Sequence, residues 1–133
     1  MLSENKHRRA IRGRVLVVDA DRLTRLLLKD LLQDDGYEVT EATNGVEGIE
    51  ALGSHLPDVV VSDAQLPETN GASFLTRVAS DAPHLPVVLI SSDDAPSTLP
   101  RGAKAFIRKP FDVGAIGRVI ERCRAQSAPS PFR

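Results

Sequence analysis

The chain has little cysteine, no long apolar run and almost no net charge. Its single cysteine, Cys123, excludes a disulfide framework and a cysteine-based metal site. The apolar runs are only a few residues long, which excludes a membrane-spanning helix. The basic residues near the N-terminus have no apolar stretch behind them of the kind that a secretory signal carries. A length of 133 residues therefore predicts one globular domain, with the cytoplasm as its expected location.

The net charge of −1 conceals an uneven distribution of charge along the chain. Residues 1–14 carry +4, residues 15–117 carry −8 and residues 118–133 carry +3. An acidic body with basic ends fits poorly with a domain that grips phosphate backbones, so we expect no direct contact with nucleic acid. Residues 1–13 are predicted to form a basic N-terminal tail, and residues 127–133 to form a disordered C-terminal tail.

Short apolar runs alternate with helical patterns along the whole sequence. The runs occupy residues 15–18, 37–40, 59–61, 87–90 and 105–107. The three valine-rich runs lack polar alternation, which indicates strands covered on both faces. Five strands in alternation with helices predict an α/β fold with a doubly wound parallel sheet.

Two of the helical segments bear directly on the later structure. Leucines at helical spacing predict the buried face of the first helix, which ends at Gly36; they are Leu23, Leu26, Leu27, Leu31 and Leu32. Between the fourth and fifth strands, Pro96 and Pro100 prevent a regular helix of several turns. The fourth helix is therefore predicted to be short or absent.

Polar residues follow four of the five runs. Asp19 and Asp21 follow the first, Asp63 the third, Ser91 the fourth and Lys109 the fifth. In an open α/β sheet, ligands bind outside the carboxyl ends of the strands, so these side chains should share one site. Clustered carboxylates favour a hard cation such as Mg²⁺. An aspartate nucleophile beside a lysine and a hydroxyl is suited to phosphoryl transfer.

Four segments together resemble the receiver domain of two-component response regulators. They are VLVVDAD (15–21), DVVVSDAQLPETNG (58–71), PVVLISS (86–92) and GAKAFIRKPF (102–111). The resemblance extends over residues 14–126. It implies a flavodoxin-like, five-stranded parallel sheet in the order 2-1-3-4-5, with helices on both faces.

The resemblance also implies a role for each site residue. Asp63 would accept a phosphoryl group from a sensor histidine kinase or a histidine phosphotransfer protein. Mg²⁺ would be held by Asp63, Asp19 and the backbone carbonyl of Gln65. Lys109 would contact the phosphoryl oxygens. The hydroxyl of Ser91 and the aromatic ring of Phe106 would move together as the switch pair.

Two departures from the family pattern affect these expectations. Ala20 stands where the family has a second acidic residue, and Asp21 comes one position late, so it would reach the metal only through a water molecule. The affinity for Mg²⁺ should therefore be reduced. No output domain follows the receiver-like segment, which predicts a stand-alone receiver that signals by contact with a downstream protein; a homodimer is compatible with this arrangement.

Two other functions are open at the level of sequence. A degenerate receiver would bind its partner without phosphorylation, as Ala20 and the missing helix suggest. A phosphatase of the haloacid-dehalogenase type would use Asp19 as nucleophile, with Ser91 and Lys109 in its later motifs. Against the phosphatase, Leu23 stands where that family has Thr or Val, and no acidic pair follows Lys109. We therefore expect no enzymatic turnover beyond the receiver's own phosphorylation and dephosphorylation.

Overall fold

A computed structural model describes residues 11–66, 70–112 and 114–127. In chain order the elements are β1 (Gly13–Val18), α1 (Arg22–Asp34), β2 (Tyr37–Ala42), α2 (Gly45–His55), β3 (Val59–Asp63), α3 (Asn70–Asp81), β4 (Val87–Ser91), β5 (Ala103–Arg108) and α4 (Ala115–Ser127). The predicted domain boundaries, residues 14 and 126, fall one residue inside β1 and α4. Most of the two predicted tails lies outside the described residues, as do residues 67–69 of the receiver-like segment 58–71, Pro67 among them.

The described strands form one parallel sheet in the order β2-β1-β3-β4-β5. This confirms the predicted fold class and strand order. The three central strands, β1, β3 and β4, are almost entirely buried, as their unbroken valine-rich runs predict. Because every strand runs in the same direction, all five carboxyl ends meet at one edge of the sheet.

Helices cover the sheet on both faces. On one face, α1 and α4 pack against the sheet through apolar side chains that include Leu28, Ile116, Ile120 and Cys123. On the other face, α2 and α3 contribute Ala51, Phe74, Leu75 and Val78. Within the described ranges, no helix has the length and apolar character needed to cross a membrane.

Of the five leucines predicted to form the buried face of α1, only Leu32 is fully buried. Leu28 and Leu32 are fully buried, whereas Leu23 and Leu27 are 75% and 50% exposed and Leu26 is 38% exposed. The leucine-rich sequence offers two stripes at helical spacing, 23/27 and 28/32. Packing against the sheet selects the second stripe, and the first is left facing outward.

The connection from β4 to β5 contains no helix across residues 92–102, as the two prolines predict. It turns into β5 at Gly102, whose φ of +95° favours glycine. A cavity of about 250 Å³ lies beneath this connection, on the face that carries α2 and α3. Its walls include Leu75, Leu89, Ser91, Pro96, Pro100 and Phe106.

Candidate functional site

The predicted site residues meet at the carboxyl edge of the sheet. Ser62, one residue before Asp63, pairs with Val18, one residue before Asp19. Asp63 itself pairs with Ile90, the neighbour of Ser91. The backbone N–H of Lys109 donates to the carbonyl of Ser91 over 2.7 Å. The parallel register thus places residues from four strands side by side.

Asp19 forms an ion pair with Lys109. Its side chain is buried, and Oδ2 lies 3.0 Å from Nζ of Lys109. Oδ1 accepts a hydrogen bond from the backbone N–H of Asp21 over 2.8 Å. Lys109 extends from the end of β5 to the end of β1, which are not adjacent in the sheet. The lysine ammonium therefore lies over the middle of the carboxyl edge, and the peptide bond that follows it, to Pro110, is cis.

Asp63 is the more accessible of the two site carboxylates, because it is only partly buried. Its Oδ1 accepts a hydrogen bond from the backbone N–H of Gln65 over 3.1 Å. Burial raises the pKa of Asp63, and the negative charge of Asp19 raises it further; the Gln65 N–H and the charge of Lys109 act in the opposite direction. The carboxylates of Asp63 and Asp19 therefore repel each other across the site.

Asp21 is occupied by a different task. It is the N-cap of α1, and its Oδ2 accepts from the backbone N–H of Thr24 over 3.1 Å and from the Thr24 hydroxyl over 2.5 Å. These hydrogen bonds, first the one from the hydroxyl, lower the pKa of the Asp21 carboxyl. The carboxylate of Asp21, the residue after Ala20, is thus bound to the first turn of α1.

Ser91 ends β4 with its side chain buried. Its Oγ accepts a hydrogen bond from the backbone N–H of Asp93 over 3.0 Å. The ring of Phe106, on β5, is partly buried and lines the same cavity as Ser91. The structure therefore brings the two predicted switch residues to one cavity, which lies beside the loop after Asp63.

Two contacts at this edge were missed by sequence reasoning. Nη1 of Arg25 donates to the carbonyl of Asp19 over 2.7 Å and to that of Ala20 over 3.3 Å, and its Nε lies 3.3 Å from Glu41. Arg25 falls four residues after the N-cap, a spacing that directs its side chain back over the loop before α1. This spacing is visible in the sequence and could have predicted the contact of Arg25 with the loop before α1.

The second missed contact is a hydrogen bond of 2.6 Å from Nε2 of Gln65 to Oδ2 of Asp93. Both residues come two positions after the polar residue that ends a strand, and the two strands, β3 and β4, are adjacent. Adjacency of the strands is the only sequence-derived signal for this contact.

The donor set is suited to Mg²⁺. Among the residues that the structure describes, no three His, Cys, Asp or Glu side chains form a metal-binding group. Mg²⁺ in proteins, however, commonly takes one or two carboxylates and completes its shell with water and phosphate oxygens. Asp19 and Asp63 supply two carboxylates at one edge, and a hard cation between them would relieve their repulsion. The residues present therefore fit the ion.

The strand order, with two aspartates, a serine and a lysine at one edge, defines a flavodoxin-like α/β domain with a carboxylate site at its strand ends. Comparisons with known proteins specify the class further. The model of the family described as response regulator receiver domain matches residues 15–121. The chain therefore belongs to the response regulator receiver domain family, whose members are signalling domains rather than conventional enzymes.

The chain is similar to several characterised members and solved structures. It is 36% identical over 115 residues to the DNA-binding transcriptional regulator NtrC of Escherichia coli K12, covering 84% of this chain and 24% of NtrC. It is 36% identical to the chemotaxis protein CheY of Thermotoga maritima, covering 82% of this chain and 95% of that protein. A receiver domain structure from Clostridium thermocellum superposes with a TM-score of 0.78 at 26% identity, covering 86% and 95% of the two chains.

The chain spans only about a quarter of the length of NtrC, and the match is confined to that part. The DNA binding in the name of NtrC therefore refers to that whole protein.

The geometry of the site argues against the phosphatase alternative. Asp19, its required nucleophile, is buried and paired with Lys109, whereas Asp63 is the accessible carboxylate.

Proposed function

We propose that the protein accepts a phosphoryl group on Asp63 from the phosphohistidine of a sensor histidine kinase or a histidine phosphotransfer protein. In this proposal it passes the signal on by contact with a downstream protein, in the cytoplasm and without binding nucleic acid directly. One observation carries the proposal. A partly buried carboxylate, a lysine held in place by a second carboxylate, and a buried hydroxyl share one edge of the sheet.

In the reaction, a carboxylate oxygen of Asp63 attacks phosphorus, the phosphorus–nitrogen bond of the phosphohistidine breaks, and its electron pair stays with the imidazole. The ammonium of Lys109 offsets negative charge on the transferred oxygens, and Asp19 holds it in place for that task. The Ser91 hydroxyl can donate one hydrogen bond to the phosphoryl group on Asp63. Phe106 lies against the same cavity and would follow the serine.

Mg²⁺ would be held by Asp19, Asp63 and the backbone carbonyl of Gln65, and would neutralise charge on the phosphoryl oxygens. The carboxylate of Asp21 is bound to Thr24, so its part in this set would be indirect. The set supports a weak Mg²⁺ site, since position 20 supplies no carboxylate.

The outward stripe of α1 supports a helical protein as phosphodonor. Leu23 and Leu27 are exposed, and Leu27 lines a groove of about 460 Å³ together with Thr24, Ser92, Lys109, Pro110 and Phe111. The groove thus runs from Leu27 to Lys109, the lysine of the site. A helix with apolar side chains and a phosphohistidine would cover the leucines and present its phosphoryl group to Asp63.

The test is intact-mass measurement of the full chain after incubation with acetyl phosphate and Mg²⁺. We expect a species heavier by about 80 Da, the mass of one phosphoryl group, that is absent from the Asp63→Ala variant. Asp81→Ala, which removes an exposed acid on α3, serves as the matched control and should label like the wild type. Labelling that survives Asp63→Ala, or no labelling of the wild type, contradicts the proposal.

A degenerate receiver is the second candidate, because position 20 supplies no carboxylate and Asp21 caps α1, which among the described residues leaves Asp19 and Asp63 as the carboxylates of the site. In that case, titration with Mg²⁺ and beryllofluoride should leave the amide resonances of residues 19–21 and 63–65 unchanged. A saturable shift of those resonances would favour the phosphorylated receiver instead.

A further inference from the structure

A side-chain hydrogen bond joins two loops at the carboxyl edge, from Nε2 of Gln65 to Oδ2 of Asp93 over 2.6 Å. Each partner also donates its backbone N–H to the side chain that ends its own strand. Gln65 donates to Asp63 over 3.1 Å, and Asp93 donates to the hydroxyl of Ser91 over 3.0 Å. The three hydrogen bonds form a continuous path from the carboxylate of Asp63 to the hydroxyl of Ser91.

This path holds the Oγ atom of Ser91 beside the backbone N–H of Asp93. The hydroxyl is buried, and one of its two lone pairs accepts from the N–H of Asp93. Asp93 is in turn held at its carboxylate by Gln65. The turn at residues 91–93 therefore cannot move away from the loop after β3 unless the Gln65–Asp93 hydrogen bond breaks.

A phosphoryl group on Asp63 would act against that hydrogen bond. It converts a carboxylate of charge −1 into an acyl phosphate of about −2, so it adds about one negative charge together with three acceptor oxygens. Gln65 bonds to both Asp63 and the negatively charged Asp93. The added charge repels the Asp93 carboxylate, and the added oxygens compete with it for hydrogen-bond donors.

We propose that Gln65 and Asp93 form a latch that is closed in the unphosphorylated protein and opens when Asp63 is phosphorylated. The closed latch keeps the Ser91 hydroxyl on Asp93, and the open latch frees it for the phosphoryl oxygens. Gln65 and Asp93 are thus positioning residues that act through Ser91. The opening half of the proposal rests on the proposed role of Asp63. The cavity that both residues line gives the loop room to move.

The closed latch is tested without any phosphoryl group, by amide hydrogen exchange in the full chain free of Mg²⁺ and phosphate. In Gln65→Leu, the Asp93 amide should exchange about fivefold faster, the size of effect expected for one exposed hydrogen bond to a charged group. The matched control is Asp94→Asn, which weakens the 2.9 Å pair between Asp94 and Arg108 in the same loop. Exchange at Asp93 should be unchanged in this control.

A double variant that restores the hydrogen bond between positions 65 and 93, with donor and acceptor exchanged, distinguishes a positioning role from a merely structural one. Gln65→Glu places two carboxylates against each other and should open the latch at least as far as Gln65→Leu. Adding Asp93→Asn to Gln65→Glu restores one donor and one acceptor with the direction reversed. Exchange at position 93 should then return towards the wild-type rate. Failure of the double variant to slow exchange relative to Gln65→Glu would count against the latch.

The opening half is tested by titration of beryllofluoride with Mg²⁺ present, followed at the amide of Ser91. Gln65→Leu should half-saturate at about fivefold lower concentration, because the wild type must break the latch first. Equal half-saturation, or equal exchange at Asp93 without ligand, overturns the proposal. Absence of any binding by the wild type overturns the proposed function and the opening half together, while the exchange experiment still decides whether the closed latch exists.

Discussion

The two ends of the sheet use charged residues in opposite ways. At the carboxyl edge, Asp19 and Asp63 repel each other, and one lysine, Lys109, pairs with Asp19. At the amino edge, Glu121 of α4 accepts hydrogen bonds from the hydroxyl of Tyr37 and from Arg12. The carboxyl edge holds two carboxylates that repel each other, whereas the carboxylate of Glu121 at the amino edge pairs with two arginines, Arg12 and Arg124.

The amino-edge cluster joins three parts of the chain that are distant in sequence. Arg12 precedes β1, Tyr37 begins β2, and Glu121 and Arg124 belong to α4. The guanidinium carbons of Arg12 and Arg124 lie 5.1 Å and 5.7 Å from the centre of the Tyr37 ring. Nη1 of Arg124 also donates to the carbonyl of Arg12 over 2.7 Å. We therefore expect substitutions at the amino edge to lower stability without changing phosphorylation, and substitutions at the carboxyl edge to change phosphorylation.

The largest effect is expected at the carboxyl edge, from Lys109→Met. This change leaves the buried carboxylate of Asp19 without its cation, and should lower the free energy of unfolding by about 2–3 kcal/mol, less than for a fully enclosed pair. Phosphorylation of Asp63 should slow by more than about 100-fold, since the charge that stabilises the transferred oxygens is lost. Urea denaturation and intact-mass kinetics measure the two effects. Lys104→Met, on the exposed side of β5, should change neither.

At the amino edge, Glu121→Ala should lower the free energy of unfolding by about 2 kcal/mol, because the buried Tyr37 hydroxyl loses its acceptor. The rate of phosphorylation should not change. In a Tyr37→Phe background the same substitution should cost clearly less, which a double-mutant cycle by urea denaturation would show. A loss of phosphorylation in Glu121→Ala would remove the separation between the two edges.

A smaller effect in the opposite direction is expected from Ala20→Asp. A third carboxylate in the exposed loop after β1 adds a hard oxygen ligand, so the affinity for Mg²⁺ should rise by about tenfold. Repulsion among the carboxylates should slightly reduce stability without the ion. Isothermal titration with Mg²⁺ and phosphorylation beside the wild type measure the gain. Equal affinity and equal labelling would show that the missing acid is tolerated.

The smallest effect is a dependence of stability on alkaline pH. Burial, followed by the hydrogen bond with Glu121, raises the pKa of Tyr37 above its ordinary value of 10.0. Because the folded protein holds this proton more tightly than the unfolded chain, the contribution is present below the ordinary pKa and lost as pH rises above it. As pH rises above 10.0, the wild type should therefore lose more stability than Tyr37→Phe. Parallel losses in thermal denaturation would contradict this.

Much of the site could be read from the sequence because each of its residues is fixed by the strand before it. Asp63, Ser91 and Lys109 stand at the ends of short apolar runs, and parallel pairing brings such ends to one edge whatever the details of packing. The break at Pro96 and Pro100 was equally local, since proline lacks the N–H that a helix interior needs. These features follow from neighbours along the chain.

Which face of α1 packs against the sheet could not be predicted in the same way. Leu23 and Leu28 are equally apolar, and nothing in the local sequence says which stripe faces the sheet. The choice depends on how α1 meets β1 and β2, which are brought to it by tertiary packing. The exposed stripe that results carries the proposed surface for the phosphodonor.

The sequence by itself determined the fold class, the strand ends and the residue types at the carboxyl edge, because these depend on periodicity and on short-range backbone constraints. Only the tertiary structure decided which polar and charged side chains are paired. The Asp19–Lys109 contact spans 90 residues and the Tyr37–Glu121 contact spans 84. Such contacts form only once the chain has folded, because partners so distant in sequence are selected by the geometry of the sheet and not by their neighbours.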